Sequence, residues 1–234
     1  MDYTQSLGAI RERTRQSADL LRGARLVLCL GNRVLLAAYV SHSEVGACTV
    51  VGAATTATEG MALVKRLDPT MVVVSDVLEQ GDGITLIAAI KGLKPQLQTL
   101  LMVSREKQLQ RVQSALASGC EGIVAESRFG QGAGLAALQT LHSGGVYVDR
   151  PLRAAVRRAH GGHGPNEPLS EREREVLSLV ALGRGNAAIG KRLHISVDTV
   201  KTHLRNVMRK LEARDRTHAA VMGLCWDLID WPEP

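Results

Sequence analysis

Short apolar runs alternate with longer stretches of mixed polarity between residues 26 and 148. A continuous apolar run is typical of a strand whose two faces are both covered, as in a parallel sheet. The runs predict strands at Leu26–Leu30, Thr49–Ala53, Met71–Ser75, Thr99–Ser104 and Gly122–Ala125.

In the stretches between and after these strands, apolar residues recur every three or four positions, which is the spacing of one helix face. They predict helices at Arg33–His42, Thr58–Leu67, Ile84–Leu93, Lys107–Ala117 and Gly132–His142. The repeated alternation favours an α/β domain built on a doubly wound, parallel, five-stranded sheet. Function concentrates at the carboxyl ends of the strands in such sheets. The residues at those ends are Leu30, Asp76, Ser104 and Glu126.

A different periodic region begins at Ser170, which forms a capping-box pattern with the Glu three residues further on. Gly183 offers the backbone freedom that ends the helix starting there. A short helix is predicted at Asn186–Leu193. Ser196 is placed to cap a longer helix, which runs from about Val197 to Leu211.

This longer helix has one apolar face and one basic face. Val200, Leu204 and Val207 share the apolar face, and Lys201 and Arg205 lie opposite. A short helix, a tight turn and a longer helix with a basic outer face form the helix-turn-helix arrangement, whose second helix enters the major groove of DNA. The C-terminal region is therefore predicted to be an all-α module that binds double-stranded DNA.

Charge supports this prediction. Residues 1–150 hold 15 basic against 13 acidic side chains, a net charge of +2, whereas residues 151–234 hold 14 against 10, a net charge of +4. Within the second part, residues 184–216 carry nine basic and three acidic side chains. A local excess of this kind is expected of a surface that binds DNA phosphates, although a solvated helix face is an alternative.

Composition changes divide the chain into four predicted segments. Residues 1–23 form a helical extension, for which a capping or dimer helix and a frayed tail are both open interpretations. An α/β domain at 24–150 follows, then a linker at 151–168 that becomes rich in Gly and Pro, and then the helical domain at 169–234.

Several function classes are disfavoured by the sequence. No apolar run reaches the roughly 18 residues of a membrane span, and residues 1–22 lack the features of a secretory signal, so we expect a cytoplasmic protein. His160 and His163 stand in the linker without metal-ligand spacing, so we assign no metal and no cofactor. A phosphate loop, GxSxG and HExxH are absent, which argues against an enzyme.

The four cysteines are widely spaced and form no CxxC pair. This pattern predicts reduced, mostly buried thiols. A redox role is the alternative, with Cys120 and Cys225 as the more plausible reactive sites.

Three segments of the helical region, LSEREREVL at 169–177, NAAIGKRL at 186–193 and ISVDTVKTHL at 195–204, strongly resemble the LuxR/NarL-type DNA-binding domain. The resemblance implies four helices, of which the last, from Arg216 to about Trp226, packs against the first and commonly forms the contact of a homodimer. It further implies a transcription regulator. RNA polymerase is an additional candidate partner.

Carried over position by position, the resemblance assigns base contacts to Lys201, Thr202 and Arg205. Lys and Arg suit guanine O6 and N7, and the Thr methyl suits a thymine methyl. Phosphate contacts fall to four further residues, Ser196, Thr199, Arg209 and Lys191. Helix capping by Ser196 and Thr199 and solvation of the arginines are the alternative interpretation.

In the α/β region, DPTMVVVSD at 68–76 and GDG at 81–83 resemble the third strand and following loop of a response-regulator receiver, which has a flavodoxin-like fold. Asp76 falls where receivers place the aspartate that accepts a phosphoryl group. Ser104 falls at the Ser/Thr switch position. An ordinary response regulator that takes phosphate on Asp76 is therefore one hypothesis.

Other receiver positions depart from the pattern. Receivers hold Mg²⁺ with an acidic pair after the first strand, where this chain has Leu30 and Gly31. Glu126 stands in place of the lysine that pairs with the phosphoryl oxygens, and Ile123 replaces the switch aromatic. These departures predict a degenerate receiver in which Asp76 is not phosphorylated. Such a domain would serve dimerisation, or the sensing of a ligand or partner. A regulator that acts mainly through protein partners is a further alternative.

Overall fold

A computed structural model describes residues 6–43, 49–104, 109–153, 165 and 167–231. Its sheet is parallel, with strand order β2-β1-β3-β4-β5-β6. The strands are β1 Arg25–Cys29, β2 Thr49–Ala54, β3 Met71–Ser75, β4 Gln98–Val103, β5 Gly122–Ala125 and β6 Tyr147–Val148. The helices of the α/β domain are α1 Leu7–Leu20, α2 Arg33–Ser43, α3 Ala57–Leu67, α4 Gly83–Leu93, α5 Leu109–Ala117, α6 Glu126–Arg128 and α7 Gly134–His142. The segment Phe129–Ala133 joins α6 to α7 through a kink at Gly132, whose φ is +113°.

The central strands bury apolar side chains on both faces of the sheet. In β1, Val27 and Cys29 point into one core, whereas Leu26 and Leu28 point into the other. The first core is covered by α3, α4 and α5, and the second by α1, α2 and α7. This double coverage explains why the strands read as continuous apolar runs rather than as alternating patterns.

The C-terminal domain is a bundle of four helices: α8 Glu171–Ala181, α9 Asn186–Leu193, α10 Val197–Lys210 and α11 Arg216–Cys225. Three begin on a side-chain cap. Ser170 and Glu173 form the predicted capping box at α8, Ser196 accepts from the Thr199 amide at α10, and Asp215 accepts from the His218 amide at α11. Such caps satisfy amides that the first turn leaves without partners.

The predicted α/β plus all-α fold class is confirmed, and β3, β5 and α9 have the predicted bounds. The prediction of five strands was one short, because β6 consists of two residues and leaves no readable pattern. The start of the helix predicted at Lys107 lies outside the described residues. So do His160, His163 and most of the predicted linker. At the start of that linker, Leu152 is helical and buried.

The two domains pack against each other. Helix α11 lies against both α8 and α5, and the amide of Val146 donates to the carbonyl of Ala181 over 3.1 Å. Gly183 ends α8 with a φ of +76°, and a Cβ there would lie 2.0 Å from the Ser143 carbonyl oxygen. A side chain at position 183 is therefore excluded by backbone conformation and by the close approach of the α/β domain.

An ion pair is buried at the amino-terminal edge of the sheet. The Lys91 side chain of α4 is 1% exposed and donates to Glu121 and to the Leu97 carbonyl. Glu121 also accepts from the amide and hydroxyl of Thr99, at 3.1 and 2.8 Å. Each charge has a partner of opposite sign and additional hydrogen bonds, which is the condition for burying charges in a core.

Among the described residues, no helix is long and apolar enough to cross a membrane.

We predict that Glu121→Gln lowers the free energy of unfolding by about 3–5 kcal/mol, because it leaves the Lys91 ammonium buried without a counter-charge. Urea denaturation of the full chain measures the change. The matched control is Asp68→Asn, which removes a partner of Lys94 whose side chain is 87% exposed. We expect it to have a much smaller effect, because an exposed ion pair contributes little in water. Equal effects of the two substitutions would contradict this account of the buried pair.

Candidate nucleic-acid interface and the crevice of the α/β domain

Helix α10 presents a buried apolar face and an exposed polar face. Val200, Leu204 and Val207 are at most 5% exposed and hold α10 against its own domain. The side chains of Lys201, Thr202 and Arg205 are all exposed. The three residues predicted to contact bases therefore share the outer face of the helix that follows the turn, as DNA reading in the major groove requires.

The partners of these three side chains differ. Lys201 pairs with Asp198 at 3.0 Å, and the Thr202 hydroxyl donates to the Asp198 carbonyl at 3.0 Å. Arg205 forms no ion pair with any residue that the structure describes. The surface pair of Lys201 is worth little in water, so a phosphate or a base edge can compete for the ammonium.

The residues predicted to contact phosphates also lie at the surface. Ser196 caps α10 by accepting from the Thr199 amide at 3.0 Å, and the two hydroxyl oxygens lie 2.8 Å apart. Arg209 pairs with Glu167 at 2.8 Å, and Lys191 is exposed on α9. Capping and phosphate contact are compatible at Ser196, because the residue stands at a helix N-terminus, where backbone amides and the helix dipole favour anions.

Helix α11 packs against α8, as the resemblance implies, and against α5 of the α/β domain. Arg214, which precedes α11, donates to the Ser118 carbonyl, and the half-buried His218 bonds to the backbone of Ala117. Since α11 rather than α10 meets α5, Lys201, Thr202 and Arg205 stay exposed while the two domains are in contact.

In the α/β domain, Asp76 directly follows the carboxyl end of β3, and its side chain is completely buried. Its Oδ1 atom accepts from the Ser104 amide at 3.0 Å and from the Ser104 hydroxyl at 2.7 Å. Its Oδ2 atom is buried and has no hydrogen-bond partner within the described residues. The backbone of Asp76 bonds to the Gly81–Gly83 loop, since its carbonyl accepts from the Gly83 amide at 3.2 Å.

Arg111 of α5 supplies a positive charge beside this carboxylate. Its Nη2 atom donates to the Asp76 carbonyl at 2.8 Å and to Asp82 at 2.5 Å. Its Nε atom lies 3.9 Å from Asp76 Oδ2. Arg111 is one of several polar residues on an amphipathic helix, and no local motif relates it to Asp76, so the sequence pattern does not single it out.

The positions expected to hold Mg²⁺ have other roles here. Leu30 is buried in the sheet core, and Gly31 lies so close to the loop after β3 that a Cβ would stand 2.4 Å from the Val77 carbonyl oxygen. Glu126 lines an open crevice of about 400 Å³ together with Gly31 and Ser104. The crevice thus contains a carboxylate where the resemblance leads one to expect a lysine.

Two nearby acids are engaged by arginines. Glu79 accepts from Arg33 and from the Thr55 hydroxyl, and these bonds lower the pKa of Glu79 to about 2. Burial acts to raise the pKa of Asp82, but bonds from the Thr85 amide and Arg111 keep it below its ordinary value. Within the described part of the chain, no cluster of three or more His, Cys, Asp or Glu side chains is placed to hold a metal ion.

The described cysteines are free and buried, as predicted. Burial raises the pKa of Cys120 to about 11 and that of Cys225 to about 12. Because the thiolate is the reactive form, the two sites named for a redox role are poorly suited to it. Cys48 lies outside the described residues.

A parallel α/β domain followed by a helix-turn-helix domain defines a response-regulator architecture. The model of the family "Bacterial regulatory proteins, luxR family" matches residues 167–223. Response regulator protein VraR of Staphylococcus aureus is 30% identical over 200 residues, which cover 84% of this chain and 93% of the relative. The chain therefore belongs to the response regulators with a LuxR-type DNA-binding domain.

Solved structures agree on the fold. A structure of the response regulator RcsB from Salmonella typhimurium aligns with a TM-score of 0.51 and 23% identity, over 84% of this chain and 96% of that one. RcsB of Salmonella enterica serovar Typhimurium bound to promoter P1flhDC, in the presence of the phosphomimetic BeF3-, aligns with a TM-score of 0.52 and 22% identity, over 88% and 98%.

We predict that contact between the domains weakens at acidic pH through His218. Burial lowers the pKa of His218 below its ordinary value of 6.5, and Arg214 adds to this effect, while Asp215 and the bond to Ala117 oppose it. The separated or unfolded state therefore binds a proton more readily. The stability that neutral His218 contributes is fully present above about pH 6.5, and it is lost as the pH falls through the lowered pKa of His218 in the folded protein.

Urea denaturation of the full chain between about pH 7.5 and about pH 5.5 tests this prediction, because carboxylates titrate mainly below that window. We expect His218→Gln to flatten the pH dependence, and His142→Gln, a change at an exposed histidine, to leave it as in the wild type. A wild-type slope that persists in His218→Gln would contradict the assignment.

Proposed function

We propose that this protein is a sequence-specific transcription regulator that reads DNA with α10, and that its receiver-like domain works without phosphorylation of Asp76. The observation that carries the first part is the exposed outer face of α10, on which Lys201, Thr202 and Arg205 stand together. Ser196, Thr199, Arg209 and Lys191 are its proposed phosphate contacts. The family supports this role, and two RcsB structures contain DNA as the bound partner.

The proposal includes a homodimer in the cytoplasm, on a site of two-fold symmetry. RcsB is described as two dimers bound to two parallel DNAs. RNA polymerase is a proposed additional partner. The proposed domain division is a helical extension at 1–23, the receiver-like domain at 24–150, a linker at 151–168 and the helix-turn-helix domain at 169–234.

We predict that Lys201→Ala and Arg205→Ala abolish enrichment of a palindromic motif when purified protein selects fragments of its own genome. Each base contact is worth about 1–3 kcal/mol of discrimination. Lys191→Ala should weaken binding to all sequences alike and reduce the salt slope by about 1.

Arg66→Ala is the control, because it removes an exposed arginine of α3 in the other domain. Binding that is insensitive to salt, or that survives both Lys201→Ala and Arg205→Ala, would overturn the DNA-reading role and favour action through protein partners.

The second part of the proposal is supported by three features of the crevice. Asp76 is inaccessible and already bonded to Ser104. Arg111 supplies a fixed positive charge, so the carboxylate has a counter-charge without a metal ion. Gly31 leaves no room for an acidic side chain, and Glu126 would repel a phosphoryl group. We infer a degenerate receiver that acts on the DNA-binding domain through the packing of the two domains against each other.

We predict that acetyl phosphate with Mg²⁺ does not label the wild-type protein, and that intact-mass spectrometry gives the same result for Asp76→Asn. A receiver that retains its acidic pair and lysine, treated in the same reaction, verifies the reagent. Asp76→Asn should bind DNA as the wild type does. Stoichiometric labelling of the wild type that is lost in Asp76→Asn would establish the conventional, phosphorylated alternative instead.

A further inference from the structure

A cavity of about 140 Å³ lies between helix α1 and the face of the sheet that α2 and α7 also cover. Its floor includes Leu28, Val73 and Leu100, and its walls include Phe129 and Leu138. Polar side chains reach it only near α1 and Tyr39. A cavity of this size with apolar walls accepts a ring-sized apolar molecule, since an engineered apolar cavity of about 150 Å³ binds benzene.

The cavity exists because α1 covers a groove without filling it. Helix α1 packs against α7, whereas α2 packs against β2. No residue of α1 is buried, although Ala18 and Leu21 line the cavity. A helix held by so little buried apolar surface opens at low energetic cost, so it can admit a ligand to the cavity beneath it.

The entrance is polar and carries a cation. A second cavity, of about 180 Å³, shares Thr14, Ser17, Tyr39 and Phe129 with the first and is also lined by Arg13. Arg13 donates one long bond, 3.5 Å, to the Gly130 carbonyl, and no carboxylate of the described residues pairs with it. Burial, and to a smaller extent Glu126, raises the pKa of Tyr39, which keeps its hydroxyl a neutral donor.

We propose that these adjoining cavities bind a monocyclic aromatic carboxylate, with its ring on the sheet face and its carboxylate on Arg13. The ring matches the volume and the apolar lining of the inner cavity. The carboxylate matches a guanidinium without an acidic partner among the described residues. The Tyr39 and Ser17 hydroxyls stand beside it as donors, whereas the Thr14 hydroxyl already donates to the Ile10 carbonyl at 2.9 Å. Charge-assisted bonds of this kind fix the orientation of an acid in an otherwise apolar site.

The proposal deepens one of the two roles expected from the sequence for a receiver-like domain without phosphorylation, the sensing of a ligand. Only its regulatory meaning rests on the proposed function. Leu138 lines the cavity from α7, and the chain after α7 reaches the DNA-binding domain at once, since Ser143 and Gly145 lie against Gly183. A ligand that shifts α7 therefore acts directly on the contact between the domains. Binding itself is measured without DNA, so failure of this proposal and failure of the DNA-reading role are seen separately.

The experiment is a calorimetric titration of the full chain with benzoate, and in parallel with toluene as the same ring without the charge. Ala18→Phe fills the cavity from the α1 side. Ala9→Phe makes the same change at an exposed position of the same helix. Arg13→Gln removes the proposed carboxylate partner, and Arg11→Gln is its control on the exposed face. Circular dichroism of each variant verifies that it folds.

We expect saturable binding of benzoate that Ala18→Phe abolishes and Ala9→Phe preserves. Arg13→Gln should weaken benzoate about tenfold, the equivalent of one charge-assisted bond, without weakening toluene, and Arg11→Gln should change neither. Absence of benzoate binding to the wild type would overturn the proposal. So would benzoate binding that survives Ala18→Phe, or binding that Arg13→Gln and Arg11→Gln weaken equally. Should Ala18→Phe fail to fold, the Arg13 and Arg11 pair still decides.

Discussion

A parallel sheet must be covered on both faces, and the rest of this structure follows from how each face is covered. Strands β1, β3 and β4 are apolar on both sides, so neither face can be left to water. One face takes α3, α4 and α5, and α5 in turn provides the surface on which α11 of the DNA-binding domain packs. The other face takes α2 and α7, with α1 added from outside the repeating strand-helix order. The two faces thus differ in what packs on their helices: the DNA-binding domain packs on one side, and the cavity lies on the other.

The crevice at the carboxyl ends of the strands holds a buried carboxylate whose partners come from two distant parts of the chain. The Ser104 hydroxyl donates to Asp76, and Arg111 places a positive charge beside it. Gly31 allows the loop after β3 to approach the end of β1 closely, because a Cβ there would collide with the Val77 carbonyl oxygen. Burying the carboxylate would be costly without this nearby charge, which gives a physical reason for an arginine at that point of α5.

Sequence patterns predicted most of the elements because burial imposes them locally. The capping box at Ser170 and the cap at Ser196 were readable for the same reason: each concerns residues three apart. Features that depend on distant parts of the chain were not readable. Arg111 meets Asp76 across a turn of the fold, α11 meets α5 across the domain boundary, and the cavity arises from the way α1 lies over strands far along the chain. The spacing of apolar and polar residues along the chain contains no information about contacts between such distant residues.

The contact between α11 and α5 joins two parts of one chain. Any other molecule that binds this side of α11 must therefore compete with an intramolecular contact. Dilution does not weaken an intramolecular contact, because its effective concentration is fixed by the residues that connect the partners. A second copy of the chain, or any other protein that binds the same side of α11, competes against that fixed value with its own bulk concentration. The fraction of molecules in which α11 leaves α5 for a second copy therefore depends on the concentration of the protein in the cell.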